Sequence, residues 1–270
     1  MPTDEALRRH YQDPTYFEGE DSQGYRNYAD IRKALAPHFR RRLDRIRNAL
    51  PNGRSILDFG CAAGYFLEIA KARGWKIAGV ELSEEMAKQA SSLLGIGVAQ
   101  TLQESMATDL DAITLWEVIE HMPRPVEQLS LLRERLQRGG ALMLSTPNNG
   151  HWQALREPDQ WRVYCPPSHL IYFDRETLKH ALHQAGFDRI EVRGVMPLPP
   201  LPNWVRRRSE SLQMSLANGN AKNWRTALVA WRAIRVFGFA WQKFVRANDD
   251  IYTTLEAIAF QPAASIHRSS

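Results

Sequence analysis

Apolar and polar positions along the chain switch between two periods. SILDF (55–59) and KIAGVEL (76–82) are apolar enough for buried strands, and residues 64–73 between them place apolar side chains at helical spacing until Gly74. A helix is expected upstream at 30–49, interrupted by Pro37, and another at 83–94, where Ser83 and two acids make a capped start. Further strands are expected at 96–102, 110–118, 141–147, 187–195 and 251–262, with helices at 124–138, closed by Gly139 and Gly140, and at 175–186. Strands alternating with helices predict an α/β fold built on an open, mostly parallel sheet. About 55 residues, largely of helical pattern, separate the last two strands and read as an insertion. There is no internal repeat or low-complexity tract.

Composition narrows this picture. The 270 residues are 44% hydrophobic and 24% charged, enough for one substantial core and against wholesale disorder. No 18-residue uncharged apolar run exists, so no membrane-spanning helix is expected, and MPTDEALRRHYQD lacks the apolar stretch of a secretory signal. Cys61 and Cys165 form neither a disulfide framework nor a zinc cluster and fit free thiols in a reducing, cytoplasmic setting. The net charge of +5 is uneven: residues 193–250 hold ten Lys/Arg against three Asp/Glu. That asymmetry is either a generic basic surface or the footprint of an anionic partner.

The corner SILDFGCAAGYFLEIA (55–70) carries the candidate chemistry. Ligands of open α/β sheets sit beyond the carboxyl ends of the strands. Gly60 and Gly64 permit a tight turn, and a helix start near Gly64 offers backbone N–H groups. GCAAG lacks the middle glycine of a dinucleotide fingerprint. Asp58 beside the turn suits an ammonium group rather than a pyrophosphate, and Glu81 at the end of the second strand suits ribose hydroxyls. A ribose and an ammonium group without phosphate describe S-adenosyl-L-methionine.

ILDFGCAAGYF, VELS and LWEVIEHMPRP together resemble the class I S-adenosylmethionine-dependent methyltransferases, in the branch of ubiquinone-biosynthesis O-methyltransferases and natural-product or glycan-tailoring enzymes. The resemblance covers roughly residues 15–195 and resumes at the final strand. It implies a Rossmann-like seven-stranded sheet with helices on both faces. It divides the chain into an N-terminal cap (1–50), a cofactor-binding core (51–196 and 251–263) and the insertion (197–250). The implied cofactor residues are Asp58, Gly60, Ala62 and Gly64 of the loop, Glu81 at the ribose, Leu82, Thr101 and Leu102 beside adenine, and Trp116 and Glu117 at the methionine moiety. Tyr16, in YFEG, resembles an aromatic that covers the cofactor. Leu82, Leu102 and Trp116 would equally serve as ordinary core.

On the acceptor side His121 is the first candidate general base, His169 the second and His151 the third; each is also readable as a structural or lining histidine. Trp152, Trp161, Tyr164 and Tyr172 are candidate pocket walls. Glu117, Glu120, His121 and His169 are similar to the carboxylate–histidine set of small-RNA 2′-O-methyltransferases, but no metal is expected, because Glu117 is assigned to the cofactor. The reading is O-methylation of a small-molecule, glycan or lipid-like acceptor. The alternatives are N- or C-methylation and a non-catalytic cofactor-binding scaffold. No nucleic-acid-binding signature is present.

Within the insertion, Trp224, Leu228, Trp231, Ile234, Phe237, Trp241 and Phe244 recur at three and four, with Arg225, Arg232, Arg235, Lys243 and Arg246 around them and no acid. RRR at 206–208 adds charge. Residues 204–246 therefore read as a core helix, as a helix lying peripherally on an anionic membrane, or as a lid or homodimer contact.

Overall fold

The structure, a computed structural model, describes residues 28–161, 163–166, 168–197 and 248–263, with scattered positions between 229 and 244. Tyr16 and residues 204–228 lie outside the described residues.

Helix α1 (Tyr28–Ala49) runs through Pro37 rather than breaking there. The chain then alternates: β1 (Ser55–Phe59), α2 (Tyr65–Ala72), β2 (Lys76–Val80), α3 (Glu84–Leu94), β3 (Leu110–Trp116), α4 (Pro125–Glu134) and β4 (Leu136–Pro147). A short helix α5 (Trp152–Arg156) precedes α6 (Arg175–Gln184), β5 (Asp188–Pro197) and β6 (Tyr252–Phe260). The six strands form one sheet in the order β2-β1-β3-β4-β6-β5. β2, β1, β3 and β4 are parallel, whereas β6 enters antiparallel between β4 and β5.

Alternation along the strands sorts side chains onto two faces. Leu57, Ile113, Leu115, Leu142, Leu144 and Leu255 pack with Leu129 and Leu132 of α4 and Leu178 and Leu182 of α6. Ile56, Ala112, Met143 and Ile258 pack on the other face with Phe39, Leu43 and Ile46 of α1 and Phe66 and Leu67 of α2. Helices thus cover both faces, which a mostly parallel sheet requires.

The expected strand at 96–102 is reduced to one parallel bridge, Val80 to Ala99. Ala99 makes both ladder bonds, donating to the Gly79 carbonyl (3.1 Å) and accepting from Glu81 N–H (2.9 Å); the N–H groups on either side of it point away from β2 and are taken by side chains. Val98 N–H donates to Ser91 Oγ (3.0 Å) and Gln100 N–H to the Glu104 carboxylate (3.0 Å). β4 begins earlier than expected, at Leu136, with a register shift opposite Leu110 and Ala112 that accommodates Gly139 at φ 75°. Before β6, the described positions from Val229 to Phe244 are helical.

Candidate active site

Three parallel strands, β2, β1 and β3, end side by side, and their carboxyl ends bring Glu81, Asp58 and Trp116–Glu117 into one region. After β1 the backbone turns sharply: Gly60 N–H (2.8 Å) and Cys61 N–H (3.1 Å) both donate to the Val80 carbonyl. Gly60, Ala62 and Gly64 hold φ values of 77°, 45° and 82°. At Gly60 a Cβ would lie 2.6 Å from Val118 Cγ2, so both conformation and space demand glycine. Ala62 holds a left-handed conformation at a cost of about 1–2 kcal/mol. Its N–H donates to Glu81 Oε2 (2.8 Å), which ties the loop to the end of β2. Gly64 caps α2 with no side-chain bond at that helix start.

Both acids are buried. Asp58 is 2% exposed and accepts from Thr114 Oγ1 at 2.6 Å. Burial pushes its carboxyl up to about 8, against the opposing effects of the Thr114 bond and the Arg42 charge. Glu81 Oε1 accepts from Ser83 N–H (2.9 Å); burial raises this carboxyl too, and its backbone donors pull it back. The corner is therefore an uncrowded backbone loop flanked by two buried carboxyls, with no Lys or Arg between Asp58 and Gly64. Such a site fits a cationic, hydroxyl-bearing ligand better than a phosphate.

Trp116 lies between Phe66, edge-on at 5.3 Å, and the Arg42 guanidinium, 4.3 Å from its ring. Its buried Nε1 has no hydrogen-bond partner among the described residues. Glu117 stands at φ 56°, a strained value for a non-glycine, with Arg42 3.9 Å from its Oε1. Arg42 also donates to Ser145 Oγ (3.0 Å) and Glu256 Oε1 (3.1 Å). Of the expected adenine neighbours, Leu82 is half-buried, Leu102 is buried in the sheet core, and Thr101 Oγ1 accepts from Glu104 N–H.

Past β3, a 3-10 turn (Ile119–His121) carries the first of the three candidate histidines. His121 Nδ1 lies 2.7 Å from the Ser168 carbonyl and His169 Nδ1 lies 2.9 Å from the Val163 carbonyl. A carbonyl only accepts, so in the neutral rings each Nδ1 carries the proton and each Nε2 carries a lone pair. The two rings meet edge-on at 4.8 Å, and His169 continues to Tyr172, which stacks against Tyr164. Burial lowers the His169 pKa, against the opposing effect of the Val163 bond, and so disfavours its charged form. His151 has a different setting: it is buried, stacks on Trp161 at 4.7 Å, and caps α5 by accepting from Gln153 N–H. Trp152 and Trp161 are buried in that group, whereas Tyr164 is exposed.

Ligand atoms of Glu120, His121 and His169 fall within 4.8 Å of one another, a set able to hold a metal ion; Glu117 is outside it. Glu120 accepts from Thr146 through Oε2, and its buried Oε1 has no hydrogen-bond partner among the described residues. Burial and then the Glu117 charge push the Glu120 carboxyl well above the usual range. Sequence reasoning missed Arg42, Thr114 and Val118. Only Arg42 left a trace, in the HFRRRLDR run, where three adjacent arginines look alike.

Residues 28–192 match a family described as a methyltransferase domain. The chain belongs to this family. It is an S-adenosylmethionine-dependent methyltransferase. One relative, a ubiquinone biosynthesis O-methyltransferase of Hahella chejuensis, is 27% identical over 188 residues, 60% of this chain and 75% of that protein. The enzyme of the same description from Dechloromonas aromatica is 32% identical over 117 residues, 40% of this chain and half of its own length. The methyltransferase fold is shared with a SAM-dependent methyltransferase of Archaeoglobus fulgidus (TM-score 0.57, 20% identity, covering 85% of this chain and 94% of the other). It is also shared with a putative sarcosine dimethylglycine methyltransferase of Galdieria sulphuraria (TM-score 0.56, 14% identity, 86% and 88%).

Proposed function

We propose that this methyltransferase transfers a methyl group to a hydroxyl of a small, lipid-like or glycan-type acceptor in a biosynthetic pathway. The observation that carries the reading is the His121–His169 pair, whose Nδ1 atoms are anchored on backbone carbonyls, which puts the lone pair of each neutral ring on Nε2. S-adenosylmethionine supplies a methyl group already activated on sulfonium. The chain's own part is alignment, exclusion of water and removal of the acceptor proton. Asp58 would face the cofactor's ammonium group, Glu81 its ribose hydroxyls, and Trp116 with Glu117 its methionine portion. Gly60, Ala62 and Gly64 would let the backbone approach it, with Leu82, Thr101 and Leu102 beside adenine and Tyr16 as a cover. His121 takes the acceptor proton at Nε2, and His169 supports it across the edge-on contact. His151, held as a helix cap, is the weakest candidate of the three. The O-methyltransferase names of the two relatives support oxygen as the receiving atom.

The test is a screen of hydroxyl, amine and carbon acceptors read by product mass. Methylated hydroxyls support the reading; methylation of amines or carbon alone overturns it. His121→Ala should lower turnover about 10²-fold at saturating cofactor. Near-wild-type turnover would remove His121 as the base.

A second reading rests on the unpaired Glu120 Oε1: Glu120, His121 and His169 would hold a divalent cation, which would polarise the acceptor oxygen. Loss of turnover after chelation, restored by one metal, favours it; unchanged turnover favours metal-free base chemistry. As for partners, the finer reading is an acceptor met at an anionic membrane, with a homodimer as its rival.

A further inference from the structure

The helical stretch before β6 is unused by the methyl-transfer chemistry. Val229, Val236, Phe237 and Phe244 there are 66%, 65%, 75% and 81% exposed. With Ala233 and Ala240 they fall within one stripe about 100° wide on a helix of 3.6 residues per turn. Phe237 and Phe244 belong to the stripe expected from sequence; Val229 and Val236 join them on the exposed side. Apolar groups gathered on one exposed face mark an interaction site more often than chance scatter does.

Charge decides between occupants. Between 222 and 246 the chain carries six Lys/Arg and no acid. A two-fold contact between copies sets the same patch against itself, bringing these cations together. Anionic lipid headgroups neutralise them instead, while the apolar stripe enters the acyl boundary. With six Lys/Arg within 25 residues, the segment suits a position along the surface rather than across a bilayer.

The stretch is rooted beside the acceptor side. Asp249 pairs with Arg156 of α5 through two 2.8 Å bonds. Asp250 accepts from Asn148 at the end of β4 and from Arg175 at the start of α6, each at 2.9 Å. Leu155, next to Arg156 on α5, is 68% exposed.

We propose that the Val229–Val236–Phe237–Phe244 face docks on an anionic bilayer, from which the neighbouring acceptor site draws an amphiphilic substrate. The second half of this proposal rests on the acceptor reading above; the first half does not. The test uses the full chain and flotation with vesicles of mixed phosphatidylglycerol and phosphatidylcholine, or of phosphatidylcholine alone. Wild type should float with the mixed vesicles about tenfold or more in excess of the neutral ones, and salt should weaken that binding. Val236→Ser/Phe237→Ser should lose vesicle binding while its cofactor affinity and thermal midpoint stay at wild-type values. Equal binding to both vesicles, binding to neither, or an unaffected double variant overturns the docking surface. So does a wild-type dimer that the double variant converts to monomer without either form floating, which assigns the face to a second copy. Methylation of a water-soluble acceptor analogue reports separately on the catalytic reading. If the analogue is methylated and no vesicles float, only the docking proposal fails.

Discussion

Asp58 is an acid held where an acid is costly. Its folded pKa of about 8 lies above that of an unfolded chain. Its contribution to stability is therefore full below about pH 4 and is lost as pH rises through about 8. A cation seated beside it favours the ionised form, so cofactor binding near pH 7 should release a proton, and affinity should rise toward pH 8 and then level off. Calorimetry in buffers of different ionisation heat checks this; a binding heat independent of buffer would remove the ammonium group from Asp58. The loop backbone permits a paired experiment. Gly60→Ala must place a Cβ against Val118 at positive φ and should cost about 2–3 kcal/mol, with loss of cofactor binding. Ala62→Gly relieves a left-handed alanine and should leave stability unchanged or raise it by up to about 1 kcal/mol. Denaturant melts of both variants decide, and equal losses would contradict the backbone argument. Asp58, Gly60, Gly64 and Glu81 were legible in sequence because a sharp strand-to-helix corner restricts residue types locally. Arg42 was not, because it reaches Trp116 and Glu117 from a helix packed across the sheet.

At the level of elements, Glu256 joins α1 to the two antiparallel strands. It accepts from Arg42 (3.1 Å), Arg45 (3.2 Å) and Arg193 (2.8 Å). Burial would raise its pKa, but these guanidiniums outweigh burial and hold it below the ordinary value. Its stabilising effect is thus present above about pH 4.5 and is lost as pH falls through the lowered value. Glu256→Ala leaves three cations without their shared acceptor. It should cost about 2–4 kcal/mol, less than a wholly buried pair because Arg193 is half exposed. Urea titration at neutral pH reads the loss, and a change below about 0.5 kcal/mol would show that the three arginines find other partners. The strand–helix alternation was readable because apolar period and stop residues agree from β1 through α6. The strand at 96–102 was overextended: its ladder to β2 is confined to Ala99, while Ser91 and Glu104 bond the outward N–H groups of Val98 and Gln100, contacts that periodicity does not show. Helix α1 passing through Pro37 was hidden too, since Leu35 before the proline and Phe39, Leu43 and Ile46 after it pack in the same core and hold the helix across one lost bond.

For the whole molecule, the stretch before β6 is fastened at its exit. The Arg156–Asp249 pair is partly exposed and should contribute only about 0.2–1 kcal/mol. Arg156→Ala should therefore leave the thermal midpoint nearly unchanged while proteases cleave faster between residues 198 and 247. Unchanged cleavage would show that Asp250 alone holds the root. Sequence pattern marked this region as an insertion but left open whether its apolar stripe meets the core, a membrane or a second copy. The order of the strands has a separate consequence, which concerns synthesis. β6 comes last in the chain yet lies between β4 and β5. While a ribosome adds the roughly 55 residues after β5, about 3–11 s at 5–20 residues per second, β5 has no neighbour to pair with and the edge of β4 stands open. The parallel strands can assemble during translation, but the sheet closes only when its innermost missing strand emerges, so nascent chains are most exposed to mispairing and chaperone capture in that interval.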